Sequence, residues 1–201
     1  MVSLVYKVIR GAVSNELSQV INDYLLMKRQ VVTRLFDDQV LAPDNLNWGV
    51  LAGDVSVPGS YAIYGDILTE VLLKQLKPLV ESEVGTQLYE SYSYTRLYEK
   101  GAVLKRHKDR VSCEYSTTLN IGGDLWAIFL EPSGLYGRDG VSVELEPGDM
   151  LIYEGNHQEH WREPFTGDYC AQVFLHYSRT TPYDGRDFLG LPTRYRPEFS
   201  D

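Results

Sequence analysis

The sequence predicts an α+β chain, with helices in the first third and a succession of short strands after it, forming an antiparallel sandwich or barrel. Three observations predict it. Apolar residues before position 85 recur at helical spacing. Beyond Gly85 they alternate with polar ones, and turn signals then punctuate the chain at short, even intervals.

The first helix follows from Leu17, Val20, Ile21, Tyr24 and Leu25, continued by Val32 and Leu35, an amphipathic stripe with Ser14 or Asn15 as its N-cap. From Pro43 to Ser60 the chain is rich in Pro, Gly, Asp and Asn and reads as a long loop. A second helix carries Ile67, Leu68, Val71, Leu72 and Leu76 on one side, and Pro78 is expected to kink or divide it. Tyr92, Tyr94, Arg96 and Tyr98 then alternate with Ser91, Ser93, Thr95 and Leu97 as in a strand. Further strand-like runs span Ala102 to Arg106, Tyr115 to Ile121, Leu125 to Leu130, Val141 to Leu145, Met150 to Tyr153 and Tyr169 to Tyr177. Gly122-Gly123, Ser133-Gly134, Asp139-Gly140, Pro147-Gly148-Asp149 and Thr166-Gly167-Asp168 separate them. The expected organisation is a mainly helical support over 1–85, a β core over 86–179 in the same domain, and an irregular tail over 180–201.

The chain is 43% apolar and 23% charged, close to globular averages, which excludes wholesale disorder. Its formal net charge of −9 argues against a sequence-independent grip on nucleic acid, which needs clustered Lys and Arg. Cys113 and Cys170 lie far apart, form neither a disulfide framework nor a zinc cluster, and read as packing residues. No run approaches the about 18 apolar residues of a membrane span, Leu125 to Leu130 being among the longest, and the start has no signal-peptide pattern. A soluble, cytoplasmic chain with no membrane partner is the expectation; oligomeric state is not legible.

All four histidines, His107, His157, His160 and His176, fall in the β-rich half. In an extended segment His107 and Asp109 project from one face, so an imidazole and a carboxylate can reach one metal ion together. A histidine from a later strand would complete a set capping one face of an octahedron and leaving three positions open, which suits non-haem Fe(II) acting with oxygen. An isolated His-x-Asp is as often a surface triplet. His157 competes with His160 for the third vertex, but follows the turn-like Gly155-Asn156 and reads as solvent-facing. His176, in the last strand, reads as a hydrogen-bonded structural residue.

Tyr98-Glu99-Lys100-Gly101 followed by His107-Lys108-Asp109 resembles the Y-x-x-G…H-x-D run of Fe(II)- and 2-oxoglutarate-dependent dioxygenases of the prolyl 4-hydroxylase type. Thr117-Thr118-Leu119-Asn120 with Gly122-Gly123, then Pro147-Gly148-Asp149-Met150-Leu151 and His160-Trp161-Arg162-Glu163-Pro164, resemble later segments of that family in the same order. The likeness covers about residues 87 to 179. It implies a double-stranded β-helix, or jelly roll, buttressed by the N-terminal helices. His107, Asp109 and His160 would bind Fe(II), and 2-oxoglutarate and O2 would be consumed, with release of succinate and CO2, to hydroxylate a peptidyl side chain or a small free metabolite. The resemblance also allows ascorbate as an accessory reductant.

The chain departs from that pattern in one place. The family carries an Arg or Lys about ten residues beyond the distal histidine, where this sequence has Asp168-Tyr169-Cys170-Ala171-Gln172. A buried carboxylate left without a partner costs several kcal/mol. Arg162 is the first candidate to replace that cation, ahead of Arg179, Arg96 and Lys105, with a surface Arg paired to Glu163 or Asp168 as the alternative. Tyr98 would add its hydroxyl unless it is an ordinary core tyrosine; Thr118 and Gln172 are further polar candidates. Trp161 either lines the substrate mouth or packs in the wall. The cluster Lys105, Arg106, Lys108 and Arg110 reads as solvated strand-end charge, or as a site for an acidic partner. The missing cation keeps open an iron oxygenase that does not use 2-oxoglutarate, and a non-catalytic jelly-roll binding module is the other alternative.

Overall fold

The computed structural model describes residues 6–42 and 45–180. Most of the expected 180–201 tail therefore lies outside the described residues. Two helices and ten strands make up the fold. α1 (Asn15–Asp37) begins at Ser14, whose hydroxyl accepts from the Leu17 amide at 3.2 Å. α2 (Ile67–Val84) begins at Asp66, whose carboxylate accepts from Leu68 N at 3.0 Å, and ends at Gly85 in the left-handed region with φ +72°.

Both helices bury part of the expected apolar stripe, Ile21, Leu25 and Val32 on α1 and Leu72 and Leu76 on α2, but the buried face is rotated from the stripe's centre. On α1 the buried residues are Ser18, Ile21, Asn22, Leu25 and Val32, while Leu17 and Val20 face solvent. On α2 they are Thr69, Leu72, Leu73, Leu76 and Val80, with Ile67 83% exposed. Hydrogen-bonded polar residues cause the rotation: Ser18 Oγ donates to Ile121 O at 2.8 Å, and Thr69 Oγ1 meets Ser93 Oγ at 2.8 Å. A satisfied hydroxyl can be buried at little cost. Nor does Pro78 divide α2, which runs through it as one helix. Leu73 and Leu76 before the proline and Val80 after it all pack in one core, and their burial offsets the lost backbone donor.

Strands β1 (Lys7–Ile9), β2 (Tyr61–Tyr64), β3 (Tyr89–Glu99), β5 (Tyr115–Gly123), β8 (Met150–Tyr153) and β10 (Tyr169–Ser178) form one antiparallel sheet in the order β1-β8-β5-β10-β3-β2. Strands β4 (Leu104–His107), β6 (Ile128–Leu130), β7 (Val141–Val143) and β9 (His160–Arg162) form a second sheet in the order β4-β9-β6-β7. The N-terminal part thus supplies two edge strands as well as helices. β1, β2 and β9 are three or four residues long, too short for the alternation that marks a strand in sequence.

The two faces of the large sheet differ. Leu97, Leu119, Ile121, Met150, Ile152, Val173 and Leu175 point outward and pack with Ile21, Leu25, Leu73 and Val80 of the helices. Alternation turns the polar set of β3, β5 and β10 the other way, toward the small sheet. Cross-strand register pairs Tyr98 with Cys170, Arg96 with Gln172, Tyr94 with Phe174 and Tyr92 with His176. Ile128, Leu130, Val143, Leu145, Leu151 and Tyr153 close the apolar end between the sheets.

Candidate metal centre

β4 ends at His107, and β9 runs antiparallel to it with His160 directly opposite, after an irregularity in the ladder between Leu104 and His107. Asp109 follows two residues later, its amide donating to Gly155 O at 2.8 Å. Asp109 Oδ1 lies 3.6 Å from His107 Nε2 and 3.5 Å from His160 Nε2. The nitrogens of both rings and the carboxylate oxygen all fall within 4.8 Å of one another.

The surroundings fix how these groups present themselves. His107 Nδ1 meets Lys105 O at 2.7 Å and His160 Nδ1 meets Gln158 O at 3.1 Å. A carbonyl can only accept, so each Nδ1 carries a proton and Nε2 is the atom each ring aims at Asp109; without a metal the Asp109 carboxylate favours a proton there, and binding a metal would displace it. The other carboxylate oxygen, Asp109 Oδ2, accepts from Ser116 Oγ at 2.7 Å, and Ser116 Oγ in turn stands 3.0 Å from His176 Nδ1. Burial raises the Asp109 carboxyl, but the imidazoles of His160 and His107 outweigh it and hold the group well below the usual carboxylate range. Two imidazole nitrogens and one carboxylate oxygen match what divalent iron takes in an open facial site. Gly155 is part of this frame: a Cβ there would overlap Ser116 Oγ and Asp109 Oδ2.

A second trio, Asp109, Cys113 and His176, is as compact. It is the poorer donor set. Burial lowers His176 to about 4 and Ser116 occupies its Nδ1, while burial and then Asp109 push the Cys113 thiol up to about 12. His157 is exposed and stands apart from both groups, against Gly134.

A cavity of about 280 Å³ opens over the three residues. Tyr98, Leu104, Ile128 and Tyr153 line one part of it, Tyr64, Tyr92, Tyr94 and Phe174 another, and Arg96, Lys108, Arg110 and Asp54 add charge. Of the candidate anchoring residues, Tyr98 is fully buried in this wall, its ring edge-on to Trp126 at 4.9 Å. Burial raises its phenol, and the nearby charges of Arg96 and Arg162 work against that rise.

Arg162 is 1% exposed, lies behind the cavity wall and not in it, and sits 5.0 Å from the Trp126 ring centroid. Its Nη1 donates to Trp126 O, while Nε and Nη2 have no partner among the described residues. It pairs with neither Glu163 nor Asp168 and sits beside Leu104, its register partner. Arg96 lines the cavity directly, its Nη2 donating to Asp54 Oδ2 and to Tyr94 OH, and its Nε is also unpartnered.

Thr118 and Gln172 are buried deeper and engage each other: Thr118 Oγ1 donates to Gln172 Oε1 at 3.1 Å, and Gln172 Nε2 to Asn120 Oδ1 at 3.2 Å. They are not in the cavity wall. Arg179 pairs with Glu114 away from the cavity, and Lys105 is exposed. Trp161 stacks on Phe129 at 5.5 Å under the Arg106 guanidinium, a wall position outside the cavity. Sequence reasoning missed Asp54 and Tyr153. Asp54 lies in the irregular 43–60 segment, where no periodicity marks an inward residue; Tyr153 ends a wholly buried strand, where no alternation separates the faces.

No family model matches the sequence, and no curated protein matches it either. Solved structures do share the fold. A Pseudomonas putida prolyl-4-hydroxylase aligns over 88% of this chain and 93% of its own at 14% identity, with a TM-score of 0.55. HygX from Streptomyces hygroscopicus, solved with nickel and 2-oxoglutarate bound, aligns over 87% and 83% at 12% identity and a TM-score of 0.61. SnoN, a non-haem α-ketoglutarate-dependent epimerase of nogalamycin biosynthesis, aligns over 86% and 75% at 14% identity and 0.60. The arrangement of antiparallel sheets and two helices is thus that of the Fe(II)/2-oxoglutarate oxygenases.

Proposed function

We propose that the protein is an Fe(II)- and 2-oxoglutarate-dependent oxygenase that hydroxylates a C–H bond. The observation that carries this reading is the clustering of His107, Asp109 and His160, with both Nε2 atoms turned to one carboxylate oxygen. The pairings β3-β10-β5-β8 and β4-β9-β6-β7 support reading residues 86–179 as a double-stranded β-helix, with 1–85 as its buttress. Fe(II), held by the three residues, and 2-oxoglutarate would together reduce O2, releasing succinate and CO2 and delivering one oxygen atom to the substrate.

The chain's own residues do the rest. Lys105 O and Gln158 O keep the imidazoles in the metal-binding tautomer, and Ser116 orients Asp109. Arg162 would take the far carboxylate of 2-oxoglutarate with help from Tyr98, and its two unpartnered donors support that role. Charge supports it as well. Arg96, Arg162, Lys108 and Arg110 outnumber Asp54 and Asp109 around the site, and a bound divalent metal would add to that excess, which favours a dianionic cosubstrate. A cation on β9 of the opposite sheet would then stand in for the missing family cation, which favours this reading over an oxygenase independent of 2-oxoglutarate.

Alanine at His107, Asp109 or His160 is expected to abolish succinate formation while the circular dichroism spectrum stays native; His157→Ala should retain most of it. Loss of iron binding in His157→Ala with retention in His160→Ala would reverse the assignment.

A further inference from the structure

The part of the cavity formed by Tyr64, Tyr92 and Tyr94 has no role in holding the metal or its cosubstrate. Tyr64 reaches in from the edge strand β2 and remains 42% exposed at the opening. Its ring centroid lies 4.3 Å from that of Tyr94 and 5.6 Å from that of Tyr92, and Phe174 extends the surface 6.0 Å beyond Tyr94. These rings, tilted 30–48° to one another, make a stepped aromatic wall that suits contact with an apolar ring.

Two cations of the same wall flank Asp109 in sequence. Arg110 places its guanidinium 5.4 Å from the Tyr92 ring and donates Nη2 to Tyr92 OH at 2.8 Å. Lys108 donates to Gly134 O at 3.0 Å and lies 3.9 Å from the Tyr136 ring centroid. Neither forms an ion pair among the described residues, whereas Arg96 has Asp54 and Arg106 has Glu159. A chain of net charge −9 thus presents two uncompensated cations beside an aromatic wall at the mouth of its cavity. Positive charge gathered at the mouth of a cleft focuses the field there and attracts an anionic ligand. The cavity volume, about 280 Å³, falls just below the about 300–1,000 Å³ usual for organic ligands, which restricts the substrate to a small one.

Building on the oxygenase reading above, we propose that the substrate is a small aromatic carboxylic acid. Its ring lies against the Tyr64, Tyr92 and Tyr94 wall and its carboxylate is bound by Arg110 with Lys108. Arg110 is exposed and its guanidinium fork can chelate a carboxylate while Tyr92 keeps it aimed.

The test uses the full chain loaded with Ni(II) and 2-oxoglutarate, in which no turnover occurs, and three probes measured by calorimetry: phenylacetate, phenylacetamide and benzylamine. Phenylacetate is expected to bind at least tenfold more tightly than phenylacetamide, and benzylamine weakest. Arg110→Gln should erase the preference for the acid while leaving the dissociation constant for 2-oxoglutarate unchanged. Tyr64→Ala should weaken phenylacetate and phenylacetamide alike. Equal binding of acid and amide to the native chain, an intact preference in Arg110→Gln, or unchanged binding in Tyr64→Ala would each overturn the proposal. If 2-oxoglutarate itself does not bind, the oxygenase reading fails. The same three comparisons on the Ni(II)-loaded chain alone then decide the aromatic-acid site separately.

Discussion

Arg162 is a buried guanidinium with one hydrogen bond and two unpartnered donors, an arrangement that costs stability in the free chain. Binding a carboxylate would relieve that cost, so stability and affinity should respond in opposite senses to its removal. Arg162→Gln is expected to leave the melting temperature unchanged or raise it, while the 2-oxoglutarate concentration for half-maximal turnover rises about tenfold or more. A hydrogen bond to a charged group is worth about 1.5–3 kcal/mol, and each 1.4 kcal/mol is a factor of ten. Steady-state kinetics with thermal melts would check both; an unchanged 2-oxoglutarate requirement would remove Arg162 from the site. The residues around it differ in how they could be read. His107 and Asp109 declare themselves by their spacing of two in an extended segment. Arg96 shares a strand face with Tyr98, and alternation alone places it inside. Its partner Asp54 could not be found that way, because it arrives from a loop held by its own turn bonds to Ser56 N and Val57 N.

Among the elements, the turn ahead of β8 shows how local chemistry ties distant chain segments together. Gly148 adopts φ +92° and stands so close to Val13 O that a side chain would not fit. Asp149 then accepts from Arg10 Nη1 at 2.5 Å, Gly11 N at 2.9 Å and Glu146 N at 3.0 Å, pinning the segment after β1 to the sheet. Burial opposes ionisation of Asp149, but Arg10 and the two amides hold its carboxyl below the ordinary value. A depressed carboxyl contributes stability above its unfolded pKa of about 4 and loses it as pH falls through the folded value. Asp149→Asn should therefore lower stability by about 2 kcal/mol at pH 7 and flatten the acid limb of the profile. Denaturant melts from pH 7 to pH 3 would read this; parallel profiles for both proteins would contradict it. Long strands such as β3, β5 and β10 were legible because alternation has room to repeat in them. The helix faces were not, because Ser18, Asn22 and Thr69 are buried by hydrogen bonds that no hydropathy pattern carries.

In the whole molecule, an apolar core lies between the helices and the large sheet, and a polar interior lies between the two sheets. The first makes the fold; the second gathers three histidines and two arginines, buried or half-buried, around Asp109 with Asp54 as a second carboxylate, a costly interior that a bound metal and a dianionic cosubstrate would suit. The order of motifs in the sequence carries the resemblance that suggests this architecture. It does not reveal β9, only three residues long, on which Arg162 is buried opposite Leu104. The central claim is that this interior holds iron and 2-oxoglutarate together. Anaerobic titration of the Fe(II)-loaded protein with 2-oxoglutarate tests it most directly, through the weak visible charge-transfer band of the chelate. The band should appear, saturate at one equivalent per chain and be lost in Asp109→Ala; bound iron with no band at saturating 2-oxoglutarate would contradict the account.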